Sequence, residues 1–189
     1  MENEAHCFKI VGESLFTQGL VSLYSGNLSI RVNDKLIITR SGSALSTIGK
    51  EDLVETGIFT DDSATPLASS ELNVHRSIYQ NTVAQAIVHA HPTYAIVLSF
   101  MHEEVVPSDM EGHDVISAVP VIASESMVKA GALSKEIAET MRQHKIALVR
   151  SHGTFAAARS LEEAYYYTTV FERSCRILYL RRTLSPGIG

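Results

Sequence analysis

Two histidines one residue apart, His89 and His91, interrupt the apolar run AIVHAHPTYAIV from Ala86 to Val97. If that run is a strand, alternate side chains share a face, so both imidazoles point one way and Ala90 points the other. Two imidazoles on one face suit a metal ion; each would equally suit a core histidine with a hydrogen-bond partner. A catalytic zinc site takes three protein ligands and leaves one position open for water or substrate. His152 is the best third candidate, because it ends the apolar strand KIALVR and precedes Gly153, which lets the backbone turn closely around a site. A loop histidine without a ligand role is the alternative. His6, His102 and His144 fall in polar or helical surface contexts and His113 in a loop, so they compete less well.

A second group of residues suits an anion. Ser69 and Ser70 open the segment SSELNVHRSIYQ, whose start reads as a helix N-terminus with free amides that attract phosphate. The same serines serve equally as helix caps. Glu71 and His75, four apart, would share one helix face, ordinarily as a solvated pair. Ser25-Gly26-Asn27 and Thr39-Arg40-Ser41-Gly42 offer small side chains and amides to an oxyanion, and each is also an ordinary turn. Neither matches a P-loop or a dinucleotide fingerprint. Lys129, in MVKAG, lacks the activating context that a Schiff-base nucleophile needs.

These residues need elements to carry them. Apolar positions from about Glu4 to Gln18 recur at helical spacing, with Gly19 as a stop. NLSIRV and KLIIT read as strands joined through Asn33-Asp34, and RSGSALSTIGKED reads as a loop. A helix over SSELNVHRSIYQ, a buried strand AQAIVHAH and a helix TYAIVLSFM begun by Pro92 follow. VPVIA is a further strand, SESMVKAGALSKEIAETMRQ a helix in one or two pieces around Gly131, and KIALVR and GTFAAAR a strand pair around Ser151-His152-Gly153. The last helix starts near Ser160 with the capping-box pattern SLEE and runs to about Arg181. Strands alternating with helices predict one α/β or mixed domain over residues 1–182, its sheet sandwiched by helices, with 183–189 as a loose tail.

The 189 residues are enough to bury a core without disulfides. Cys7 and Cys175 are too few and too far apart for a disulfide framework or a cysteine metal site, and they fit a reducing cytoplasm. No apolar run approaches the roughly 20 residues that span a bilayer, and MENEAHCFK lacks a signal-type core, so a soluble cytoplasmic protein is expected. A net charge of −5 without a basic run argues against nucleic acid as a partner.

Taken together and in order, Gly26-Asn27-Leu28-Ser29, Thr39-Arg40-Ser41-Gly42, Ser69-Ser70-Glu71, His89-Ala90-His91 and Ser151-His152-Gly153 resemble the class II aldolase and adducin head family, closest to its L-fuculose-phosphate aldolase-like enzymes. The resemblance runs from about Leu15 to Leu180, and the combination of SSE, HAH and SHG is its most specific part. It implies a mostly antiparallel central sheet between α-helices. It implies that His89, His91 and His152 are zinc ligands, with Mn2+, Fe2+ or Co2+ as other metals that three imidazoles suit. Gly26, Asn27, Ser41, Gly42, Ser69 and Ser70 would cradle a substrate phosphate. Glu71 would coordinate the metal in the substrate-free state and act as the catalytic base, with His75 in support. The implied reaction makes or cleaves a ketose 1-phosphate, from dihydroxyacetone phosphate and a small aldehyde, through a zinc-stabilised enediolate. The implied assembly is a homotetramer with interfacial active sites.

The match also departs from the family. Its enzymes use tyrosines at the aldehyde end, one from the loop after the HxH helix and one from a C-terminal extension. Here that loop reads VPSDMEGHDVI without a tyrosine, Glu111 stands near the expected position, and the sequence ends at Gly189. Asp109, Glu111 and His113 are possible polar substitutes, and an exposed acidic loop is the plainer reading. Tyr165-Tyr166-Tyr167 is better explained by helix packing. Within the family, pentose-phosphate 4-epimerases usually carry Asp in place of Glu71, whereas a methylthioribulose-phosphate dehydratase keeps similar ligands. An adducin-head-like interaction module would have lost the histidines that this sequence retains.

Overall fold

The computed structural model describes residues 2–123 and 131–184. The expected helix segment SESMVKA, with Lys129, and the end of the tail lie outside the described residues.

Among the described residues, eight strands form one sheet in the order β3-β2-β1-β4-β8-β7-β6-β5: β1 (Asn27–Val32), β2 (Lys35–Thr39), β3 (Leu53–Gly57), β4 (Ala86–Ala90), β5 (Glu104–Val105), β6 (Val119–Ile122), β7 (Ile146–Val149) and β8 (Gly153–Ala158). Every neighbouring pair is antiparallel except β6 with β7. α1 (Glu2–Thr17), α3 (Thr93–Ser99), α4 (Met110–Val115) and the long α6 (Leu161–Leu184) pack together on one side, and α2 (Leu72–Asn81) pairs with α5 (Ala132–Thr140) on the other. The sheet is therefore sandwiched, as expected.

The central strands are buried on both faces, so their side chains split by period two between two cores. Along β4, Ala86, Val88 and Ala90 join the core under α1, α3 and α6, while Ile87 joins the core under α2 and α5. His89 continues the Ile87 face, with its ring stacked on Phe155 at a centroid distance of 4.2 Å.

Several local expectations hold for identifiable reasons. Gly19 stops α1 with φ +69°, and Asn33 makes the two-residue β1–β2 turn with φ +57°. One arm of the capping box forms, with Ser160 Oγ accepting from Glu163 N at 3.2 Å, while Glu163 Oε2 accepts from Arg159 N, one residue before the cap, at 2.9 Å.

Others are corrected. The serines of SSE do not cap α2; Glu71 is the N-cap residue, with φ −88° and ψ 7°. The expected loop VPSDMEGHDVI contains α4, which includes Glu111 and His113, and Asp109 caps it by accepting from Gly112 N at 2.9 Å. α4 packs so tightly on α6 that a Cβ on Gly112 would strike Ser174 Oγ. The strands β3 and β5 and three short 3-10 turns were not expected, and α6 continues through Leu184.

Candidate metal and anion site

The histidines meet where β4 and the β7–β8 hairpin end side by side. β4 stops at Ala90, so His91 lies one residue beyond it, its amide donating to Leu20 O at 2.8 Å. Leaving the strand does not separate the rings: His89 and His91 have centroids 4.8 Å apart. His152 arrives from the opposite side through a tight turn in which Ser151 takes φ +62° and donates its amide to Ser99 Oγ at 3.0 Å. Gly153 makes this approach possible, because a Cβ there would strike Ala90 O and lie 2.8 Å from His91 Cδ2.

One candidate ligand atom from each of His89, His91 and His152 falls within 4.8 Å of the other two. His89 Nδ1–H donates to Thr154 O at 3.0 Å, which leaves the Nε2 lone pair facing the site. Burial pushes the His89 pKa down to about 3 and also lowers that of His91, so both rings stay neutral and able to ligate at pH 7. The residues thus fit a divalent cation. Their imidazole donors suit Zn, Fe and Co alike.

Glu71 lies over this triad, with Oε1 3.3 Å from His152 Nε2 and Oε2 4.0 Å from His89 Nε2. Burial alone would raise its pKa, but the side-chain hydrogen bond with His152 draws it down, to about 2. Since His89 is itself neutral at pH 7, the contact with His152 is the cause that operates there. Glu71 is a carboxylate at neutral pH.

The three small-residue loops converge beside the triad. Ser69 N donates to Thr39 O at 3.0 Å and Ser41 N to Leu67 O at 3.1 Å, strapping the two serine loops together. Gly26, with φ +79°, leaves no room for a side chain: its Cβ would lie 2.6 Å from Val21 Cγ1 and 2.9 Å from His89 O. Asn27, the next residue, pairs directly with His89 across β1 and β4. The result is a cavity of about 260 Å³ lined by Gly26, Asn27, Ser41, Gly42, Ser69, Ser70, Glu71 and all three histidines. Ser69 Oγ accepts from Glu71 N at 3.3 Å. The hydroxyls of Ser41 and Ser70 have no partner among the described residues. Solvent-facing hydroxyls beside a triad positioned to hold a cation suit an anion.

His75 is fully buried behind the cavity and pairs with Asn27 and Ser29, so it does not form the solvated face with Glu71 that the spacing suggested. Glu111, Asp109 and His113 do not line the cavity; Glu111 instead reaches Arg173 at 3.1 Å. Tyr24 and Arg40 do line it, although sequence reasoning gave them no role. Tyr24 was signalled only by adjacency to Ser25-Gly26, and Arg40 only by its place within Thr39-Arg40-Ser41-Gly42. A larger cavity of about 450 Å³ at the opposite end of β4 and β8, beside Lys145 and Arg159, holds no such triad.

The model of the Class II Aldolase and Adducin N-terminal domain matches residues 10–179. The chain belongs to this family. Its fold is similar to the crystal structure of L-fuculose-1-phosphate aldolase from Thermus thermophilus, at 36% identity and TM-score 0.89, covering 98% of this chain and 97% of that one. In sequence it is 28% identical over 162 residues to an L-fuculose phosphate aldolase of Methanococcus maripaludis, covering 84% of this chain and 87% of that protein. It is also 31% identical over 179 residues to a methylthioribulose-1-phosphate dehydratase of Persephonella marina, covering 84% and 80%. Class II aldolases depend on a metal, and the triad of this member is positioned to bind one.

Proposed function

We propose that the chain is a zinc-dependent aldehyde-lyase that cleaves or forms a ketose 1-phosphate, releasing or using dihydroxyacetone phosphate and a small aldehyde. The observation that carries this reading is the placement of the Glu71 carboxylate between a three-histidine triad and a cavity lined by the serine and glycine loops. The resemblance to fuculose-phosphate aldolases supports it.

In this mechanism His89, His91 and His152 hold the cation. When bound, the ion supplies the positive charge that stabilises an oxyanion developing at the substrate carbonyl. Gly26, Asn27, Ser41, Gly42, Ser69 and Ser70 hold the phosphate, which fixes the adjacent carbons against Glu71. Glu71 Oε1 takes the proton from carbon, as its ionised state at neutral pH requires. Its contact with His152 is loose, at 3.3 Å, so the carboxylate can leave it and turn toward the substrate.

A homotetramer with interfacial sites and a cytoplasmic location belong to the same proposal. The exposed apolar side chains Phe100, Met101 and Met110 support assembly, and sedimentation of the purified protein tests it. No helix among the described residues is long and apolar enough to cross a membrane.

The dehydratase of Persephonella marina supports a second reading, loss of water from a ketose 1-phosphate at the same site. One experiment separates the two: measure metal content, then assay a panel of ketose 1-phosphates for dihydroxyacetone phosphate. Release that is abolished by chelation and restored by zinc supports the aldolase. Bound metal without release, and with water loss from methylthioribulose 1-phosphate, overturns it in favour of the dehydratase. Absence of metal would favour a binding module.

A further inference from the structure

Behind the cavity, four buried polar side chains form an unbranched chain. Tyr79 Oη lies 2.7 Å from Ser29 Oγ, Ser29 Oγ lies 2.6 Å from His75 Nδ1, and His75 Nε2 lies 2.6 Å from Asn27 Oδ1. All four residues are at most 5% exposed.

The direction of every proton in this chain follows from one end. Among the described residues, Tyr79 Oη has Ser29 Oγ as its sole partner. A buried phenolic O–H without an acceptor is costly, so Tyr79 donates to Ser29. Ser29 has one proton, and its remaining neighbour is His75 Nδ1, so Ser29 donates there. His75 Nδ1 is then an acceptor, and the ring proton sits on Nε2. That N–H donates to Asn27 Oδ1. The Asn27 carboxamide is thereby held by its oxygen, and its NH2 group is the end left to face the cavity that Asn27 lines. The reverse polarity would strand the Tyr79 proton and present a carbonyl oxygen to an anion.

We infer that His75 is a positioning residue, locked by Tyr79 and Ser29 as the Nε2–H tautomer, that turns the Asn27 amide toward a substrate phosphate. The inference rests on the phosphate-cradle reading for its ligand, and on this chain's geometry for the tautomer.

The test uses the zinc-loaded protein with 15N-labelled histidine and asparagine. The wild type is expected to show His75 with its proton on Nε2, and inorganic phosphate is expected to shift the Asn27 side-chain NH2 signals. Tyr79→Phe, which keeps the ring in place, frees Ser29 to reverse. It is expected to mix the His75 tautomers and weaken phosphate binding about tenfold, with KM for a ketose 1-phosphate rising about tenfold and kcat within about twofold. Ser29→Ala should act in the same direction. A wild-type His75 protonated on Nδ1 overturns the inference, and so does unchanged phosphate affinity in both variants. If the Nε2 tautomer is found but phosphate leaves the Asn27 signals unmoved, the cradle reading fails, and with it the role assigned to His75.

Discussion

The Nε2 atoms of His89 and His91 face each other at 2.9 Å, while the other ring nitrogen of His89 is held by Thr154 O. Two neutral imidazoles aimed at one point in this way are arranged for a shared cation. His89→Ala and His152→Ala are each expected to lose bound metal, measured by elemental analysis after gel filtration. Metal retained at wild-type stoichiometry by both variants would sink the three-histidine site.

Glu71→Gln keeps the shape of the carboxylate and removes its basicity. It is expected to retain the metal and lose turnover by at least about 100-fold, the usual contribution of a positioned base. Normal turnover by this variant would remove Glu71 from proton transfer.

The protein should lose stability in acid well before its carboxylates titrate. Burial holds the pKa of His75 down at about 4 and of His89 at about 3, against 6.5 for an unfolded histidine. Between those values the unfolded chain binds the extra proton, so the stabilisation is complete above pH 6.5 and drains away as pH falls toward 4 and 3. Each group contributes a slope of about 1.4 kcal/mol per pH unit. Glu71, lowered from 4.5 to about 2, adds a loss at still lower pH. Urea melts of chelator-treated protein between pH 7 and 4 measure this. His75→Gln should flatten the slope by one histidine's share, and an unchanged slope would refute the assignment.

Gly153 is set between Ala90 and His91 with no space for a methyl group. Gly153→Ala should destabilise by about 1–3 kcal/mol, as overpacking does, and also weaken metal affinity by pushing the β7–β8 hairpin off β4. A variant with wild-type melting and metal content would show that the hairpin has slack which the geometry denies.

The site was legible in the sequence to the extent that its chemistry is carried by side-chain type. SSE, HAH and SHG name the three histidines and the carboxylate that meet in the cavity, and the strands and helices that bear them follow from periodicity and from turn residues such as Asn33 and Gly19. Short elements were less legible. β5 has two residues and α4 six, too few for a period to register, and α4 exists because Asp109 caps it and Gly112 lets it lie against α6.

The sequence by itself determined which residues are candidates for the chemistry and in what order they stand, because composition and local spacing are properties of the chain. Only the tertiary structure decided how they are used. It turned His75 away from Glu71 toward Ser29 and Asn27, partners 46 and 48 residues away along the chain, and it set Asn27 opposite His89. Those pairings come from β1 lying beside β4 with α2 packed over them. Spacing along the chain carries no information about such neighbours, since the sheet brings together residues whose separation in sequence is arbitrary.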